Sequence, residues 1–122
     1  MSNTINWFEI PTTDLDRAMR FYEAVLGVSL KREHFDGTGM QMAVFSGEEQ
    51  SVRGALIVDA RRKPAADGAL VYLNAGDLDT SLSRVGKAGG SVLMPKTDIG
   101  DPGFIALVKD TEGNVVGLHT PR

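Results

Sequence analysis

Residues 14–30 read DLDRAMRFYEAVLGVSL, and 63 positions later residues 77–93 read DLDTSLSRVGKAGGSVL. At that one offset Asp14 meets Asp77, Leu15 meets Leu78, Asp16 meets Asp79, Gly27 meets Gly90 and Leu30 meets Leu93. An opening Asp-Leu-Asp and a closing Gly-x-x-Leu, in step without a gap, predict two copies of one supersecondary unit.

Outward from this stretch, INWFEIP (Ile5–Pro11) is aromatic and β-branched and is stopped by Pro11, which predicts a strand. Thr12, Thr13 and Asp14 offer N-cap oxygens. Leu15, Ala18, Met19, Tyr22 and Val25/Leu26 then recur at helical spacing as one apolar stripe, and Gly27 stops the helix. Three extended pieces follow, Ser29–Phe35, Gln41–Phe45 and Ala55–Asp59, separated by turn-like Asp36–Gly39 and Ser46–Gln50. After the polar connector Ala60–Gly68 the order returns. Ala69–Ala75 reads as a strand and Leu78–Ala88 as a helix closed by Gly89–Gly90, with strands at Ser91–Met94, Phe104–Asp110 and Asn114–Thr120. Thr111–Gly113 makes a tight hairpin turn, and Pro95–Gly103 a loop long enough to act as a rim or lid. The expected fold class is α+β: one domain of two βαβββ modules, about 4–60 and 69–120, joined by a linker at 61–68.

The first strand of each copy assigns the faces. Phe8 and Ile10 alternate with Trp7 and Glu9; Val71, Leu73 and Ala75 alternate with Leu70, Tyr72 and Asn74. The aliphatic set suits the helix side, and the mixed set suits a concave face that holds a ligand or meets a partner.

Composition excludes several classes. With 42% apolar and 24% charged residues and a net charge of −3, the 122 residues suit one soluble domain. Cationic residues are scattered except for Arg61–Arg62–Lys63, a solvated linker, so no nucleic-acid face is expected. There is no cysteine for disulfides or thiolate chemistry, and no apolar run approaches the roughly 20 residues of a membrane helix. Met1–Asn6 has no signal-peptide pattern, and a cytoplasmic location is the expectation.

FEIPTTDLDRAMRFYEAVLG at 8–27, DLD…AGG at 77–90 and FIALVKDTEGNVVGLH at 104–119 together resemble the vicinal oxygen chelate superfamily of glyoxalases, bleomycin-resistance proteins and extradiol dioxygenases, in particular its small bacterial glyoxalase-like members. The resemblance spans nearly the whole chain. It implies paired modules whose sheets curl around a cavity, and in the family's enzymes a divalent metal held there by His, Glu or Gln. Carried over by position, those ligands fall on Trp7, on Leu70, near Gly54–Leu56 and on Gly117, none of which ligates. The expectation is therefore no cofactor and no standard metal site. The resemblance also implies a homodimer in which each cavity mixes the first module of one copy with the second module of the other.

Glu9 and His119 remain as candidate acid–base residues, both assigned to the cavity side. Each reads equally well as an ordinary polar or exposed residue. Trp7, Met42 and Tyr72 suit a flat apolar ligand, with core or dimer packing as the plain alternative; Asn74 offers an amide; Leu70 and Gly117 complete the expected lining. His34 lies in a charged stretch and is expected to be exposed, and Gly37 and Gly39 form no phosphate loop. The favoured reading is a protein binding a small, partly apolar molecule between its modules. The alternatives are a lyase, isomerase or dioxygenase-like enzyme using Glu9/His119 or a displaced metal, and a module that mainly dimerises or docks.

Overall fold

A computed structural model describes residues 4–34, 40–48 and 51–122, except the side chain of His34. The expectations for Asp36–Gly39 (with Gly37 and Gly39), for the end of Ser46–Gln50 and for the His34 side chain lie outside the described residues. The elements are β1 (Trp7–Pro11), α1 (Leu15–Leu26), β2 (Leu30–His34), β3 (Gln41–Phe45), β4 (Arg53–Val58), β5 (Tyr72–Asn74), α2 (Leu78–Val85), β6 (Ser91–Asp98), β7 (Phe104–Lys109) and β8 (Val115–Thr120). They form two four-stranded sheets in the same pattern, β1-β4-β3-β2 and β5-β8-β7-β6. In each, the first strand runs parallel to the last and the other pairs are antiparallel. Two βαβββ modules are therefore present, and their sheets do not close on one another.

The helices begin and end for the reasons the sequence gives. Asp14 accepts a hydrogen bond from the Arg17 backbone N–H, and Asp77 from that of Thr80, each capping its helix. Gly27, at φ 67°, supplies the left-handed residue that ends α1. After α2 the chain turns on to a Schellman closure, in which Gly90 N–H meets the Val85 carbonyl and Gly89 N–H that of Gly86. Buried Leu15, Ala18, Tyr22 and Val25 are the expected stripe of α1; Phe21 joins them, whereas Met19 and Leu26 are only half-buried. α1 packs on β3 and β4, α2 packs on β6, β7 and β8, and the helices pack on each other. One core results, and Ile10, Phe21, Leu56, Val85 and Leu118 all belong to it. Burying a side chain the size of Phe21 contributes about 2–3 kcal/mol. Among the described residues no helix is long and apolar enough to cross a membrane.

Two differences from the sequence reading bear on the site. First, Pro95–Asp98 is not loop: β6 continues through it at the sheet edge. Proline is tolerated there because an edge strand has one row of N–H groups with no ladder partner, and the register shifts on either side of Met94 absorb the irregularity. The connection to β7 is correspondingly short. Second, the internal repeat slips by one residue. Ala43 faces Leu56 in the first module; Ala106, 63 residues on, faces Leu118, which is only 62 residues beyond Leu56. A one-residue slip exchanges the faces of a strand. Gly54 thus lies beside Phe8 on the core side, whereas Gly117 lies beside Tyr72 on the outer side.

The modules are joined by a polar network around the β7–β8 turn. Glu112 accepts from the backbone N–H groups of Thr13 (2.8 Å) and Asp14 (2.9 Å) and from Arg17 Nε (2.7 Å). Burial pushes its carboxyl up, but Arg17 and these two N–H groups outweigh that and hold it down at about 2. Buried Tyr22 donates to Asp110 Oδ2 at 2.7 Å; burial first, and then the Asp110 charge, push its phenol well above the ordinary range, so it stays a donor.

Because the folded pKa of Glu112 lies below its unfolded value of 4.5, its stabilisation is complete above about pH 4.5 and is lost as pH falls towards 2. Discounted for screening at half-exposed Arg17, the contribution is about 2 kcal/mol. Urea denaturation of Glu112→Gln is expected to show that loss at pH 7, with the gap to wild type closing as pH falls through this window. A gap independent of pH would remove the carboxylate from the account. A Cβ at Gly54 would lie 2.5 Å from the packed Phe8 ring, and one at Gly117 2.3 Å from the half-exposed Tyr72 ring. Gly54→Ala is expected to cost about 2 kcal/mol and Gly117→Ala under about 1, since only Tyr72 can swing aside. Equal costs in urea denaturation would show both rings to be equally fixed.

Candidate functional site

The register fixes what each sheet presents away from the helices. On the first sheet Trp7 neighbours Arg53, Glu9 neighbours Ala55, Ala55 in turn neighbours Val44, and Met42 neighbours Ile57. Met42, Val44, Ala55 and Ile57 form a second, smaller buried cluster, so Met42 packs largely as core. On the second sheet Tyr72 neighbours Gly117, and Asn74 neighbours His119. This face is more open: Leu70 and Tyr72 are 44% and 47% exposed. The two outer faces therefore differ: the first is closed around Met42, Val44, Ala55 and Ile57 and leaves Trp7 exposed at one end, and the second is uncovered.

Glu9 and His119 have separate surroundings. Glu9 Oε2 accepts from the Trp7 indole N–H at 3.1 Å, and Oε1 lies 3.7 Å from Arg62 of the linker. His119 Nε2 stands 2.6 Å from the Pro102 carbonyl, which can only accept, so Nε2 carries the proton and Nδ1 alone could act as a base. Among the described residues no hydrogen bond or ion pair joins Glu9 to His119.

A well-formed cavity lies on neither sheet face but at the seam between the modules. β1 and β5 are the outermost strands of their sheets, and the ends of both line a cleft of about 480 Å³. Phe8, Phe45 and Arg53 come from the first module and Leu70, Tyr72 and Asn74 from the second. Of the residues expected to meet a ligand, Leu70, Tyr72 and Asn74 gather here; Trp7, Met42, Gly117 and His119 do not line it. Glu9 instead lines a smaller cavity of about 200 Å³ farther along the seam, with Lys63 and Asn114. The sequence reading missed Phe8, assigned to the core, and Arg53. The available signal was a lone arginine opening the apolar run RGALIV.

The positions that the resemblance assigns to the family's metal ligands are Trp7, Leu70 and Gly117, and the residue between Gly54 and Leu56 that shares the Glu9 face is fully buried Ala55. The space a side chain would need at Gly117 is taken by the Tyr72 ring. Among the described residues no three His, Asp or Glu side chains converge. This donor set does not fit the family's divalent ion.

Comparison with known proteins agrees with this architecture. The chain is 32% identical to CFP32 of Mycobacterium bovis, a protein whose glyoxylase name is provisional, over 94% of its own length and 44% of that protein's. It thus spans less than half of this curated relative. It is 30% identical to a glyoxylase-like domain-containing protein of Didymella fabae, over 95% of this chain and 92% of that one. A glyoxylase/bleomycin resistance protein/dioxygenase domain from Frankia superposes over 100% of both chains with a TM-score of 0.74 at 17% identity, a likeness of fold. The model of the Glyoxalase/Bleomycin resistance protein/Dioxygenase superfamily matches residues 4–118, and to that superfamily this chain belongs.

Proposed function

We propose that the chain binds a small, partly apolar molecule in the cleft between its modules, without the divalent ion of the family's metal-dependent enzymes. The observation that carries this reading is the cleft of about 480 Å³, a size typical of small-molecule pockets, with an apolar wall and a few polar groups. Ile5, Leu70 and Tyr72 keep about half their surface exposed at its rim, which leaves apolar area for a ligand to cover. The donor-poor family positions support the metal-independent part. An acid–base role for Glu9 and His119 gains no support from their contacts within one chain. The open face of the second sheet supports a homodimer, in which the first module of a second copy covers that face beyond the cleft and brings its Glu9 towards His119.

Benzyl alcohol, a neutral aromatic probe, is expected to give saturable amide shifts at Phe45, Gly54 and Leu73 in ¹H–¹⁵N NMR, with low-millimolar affinity. No saturable shift there would retire the cleft. Glu9→Gln and His119→Gln are expected to leave that affinity unchanged, and its loss in either would return those residues to the site. Elemental analysis after soaking with nickel, zinc, manganese or iron(II) is expected to find substoichiometric metal; tight stoichiometric binding would overturn the metal-independent reading. Size-exclusion light scattering should report a dimer, and a folded monomer would sink that assembly.

A further inference from the structure

Among the described residues lining the larger cleft, Arg53 alone is charged. It is half-buried, at the point where β4 leaves the loop after β3. Arg17, Arg32, Arg61, Arg62 and Arg122 each meet a carboxylate. Arg53 meets none among the described residues; its Nε and one terminal nitrogen both turn to a single acceptor, the Phe45 carbonyl, at 3.3 and 3.2 Å. A guanidinium carries five N–H groups, so one carbonyl leaves most of them available. The contact also aims the group, because the planar fork is fixed on one edge by the backbone of the strand that supplies Phe45 to the same cleft. Ser46 and Asn74 add uncharged hydrogen-bonding groups to the lining, and among the described residues no carboxylate side chain lines it to repel an anion.

A permanent cation beside an apolar wall, with its counter-charge missing, selects ligands that supply that charge. We infer that the cleft takes small amphipathic anions, a carboxylate on a flat or branched apolar body, with the Arg53 guanidinium as the anchor. The apolar body lies against Phe8, Phe45 and Leu70, and the carboxylate meets the free edge of the guanidinium. This rests on the cleft being the ligand site and adds the charge of its occupant.

Phenylacetate and phenylacetamide have nearly the same shape and differ in charge, so wild-type protein titrated with each by ¹H–¹⁵N NMR tests the inference without any variant. The carboxylate is expected to bind about tenfold more tightly, to shift the Arg53 side-chain Nε signal, and to lose part of its advantage in added salt. Arg53→Gln should bring the two probes within about twofold, and Arg53→Lys should keep part of the preference. Because Arg53 also braces Phe45, the fold of each variant is checked by its amide spectrum. Equal affinity of the two probes for wild type, or a preference that survives in folded Arg53→Gln, would overturn the anionic ligand while leaving the cleft in place. Failure of both probes to shift Phe45, Gly54 and Leu73 would overturn the cleft itself.

Discussion

The carboxylate of Glu112 at the N-terminus of α1 is the contact on which the arrangement of the two modules depends. It belongs to the second module and satisfies backbone N–H groups of the first, where the helix leaves its opening donors without intrahelical partners. Arg17, one turn into the same helix, closes the other side of the carboxylate. The neighbouring turn residues extend the join. Asn114 donates to Asp110 and to the Pro11 carbonyl at the end of β1, and its own carbonyl accepts from Ala65 in the linker. Helix start, strand end and connector are thereby tied to one five-residue hairpin.

The seam between the modules follows from where that join lies. The modules are fastened through their helices and the β7–β8 turn, while β1 and β5 pair only inward, to β4 and β8. Two strand edges left unpaired along the seam flank the two cavities. Chemistry collects there: the larger cavity has an apolar wall with one cation, and the smaller has Glu9 and Lys63. The first sheet has closed the middle of its outer face with Met42, Val44, Ala55 and Ile57, and exposed apolar area remains at Trp7, along the seam and on the second sheet.

The fold was legible because its signals are local. Asp14 and Asp77 caps, glycine stops and helical spacing fixed both helices, and alternation in the first strands assigned their faces correctly: Phe8, Ile10, Leu73 and Ala75 belong to the core side. Where the reading erred, a non-local fact decided. Pro95 reads as a loop residue until the strand that holds it is known to be an edge. Glu112 reads as one letter of a turn, because nothing in DTEGN reveals that a helix 98 residues earlier in the chain starts beside it. Of the candidate cleft's lining, the sequence showed one side. Leu70, Tyr72 and Asn74 came from face parity, whereas Arg53 lies at a strand end whose neighbours across the seam are set only by tertiary packing.

The slip between the modules changes what the internal repeat says about ancestry. Gly54 and Gly117 stand 63 positions apart, the spacing at which the two halves align, and invite interpretation as one ancestral glycine kept twice. In three dimensions the counterpart of Gly117 is Ala55 and that of Gly54 is Val116, since the last strands correspond at 62. The two glycines lie on opposite faces, one under Phe8 in the core and the other under Tyr72 outside it. Each leaves out a Cβ that would crowd an aromatic ring on the parallel neighbouring strand, Phe8 in one module and Tyr72 in the other.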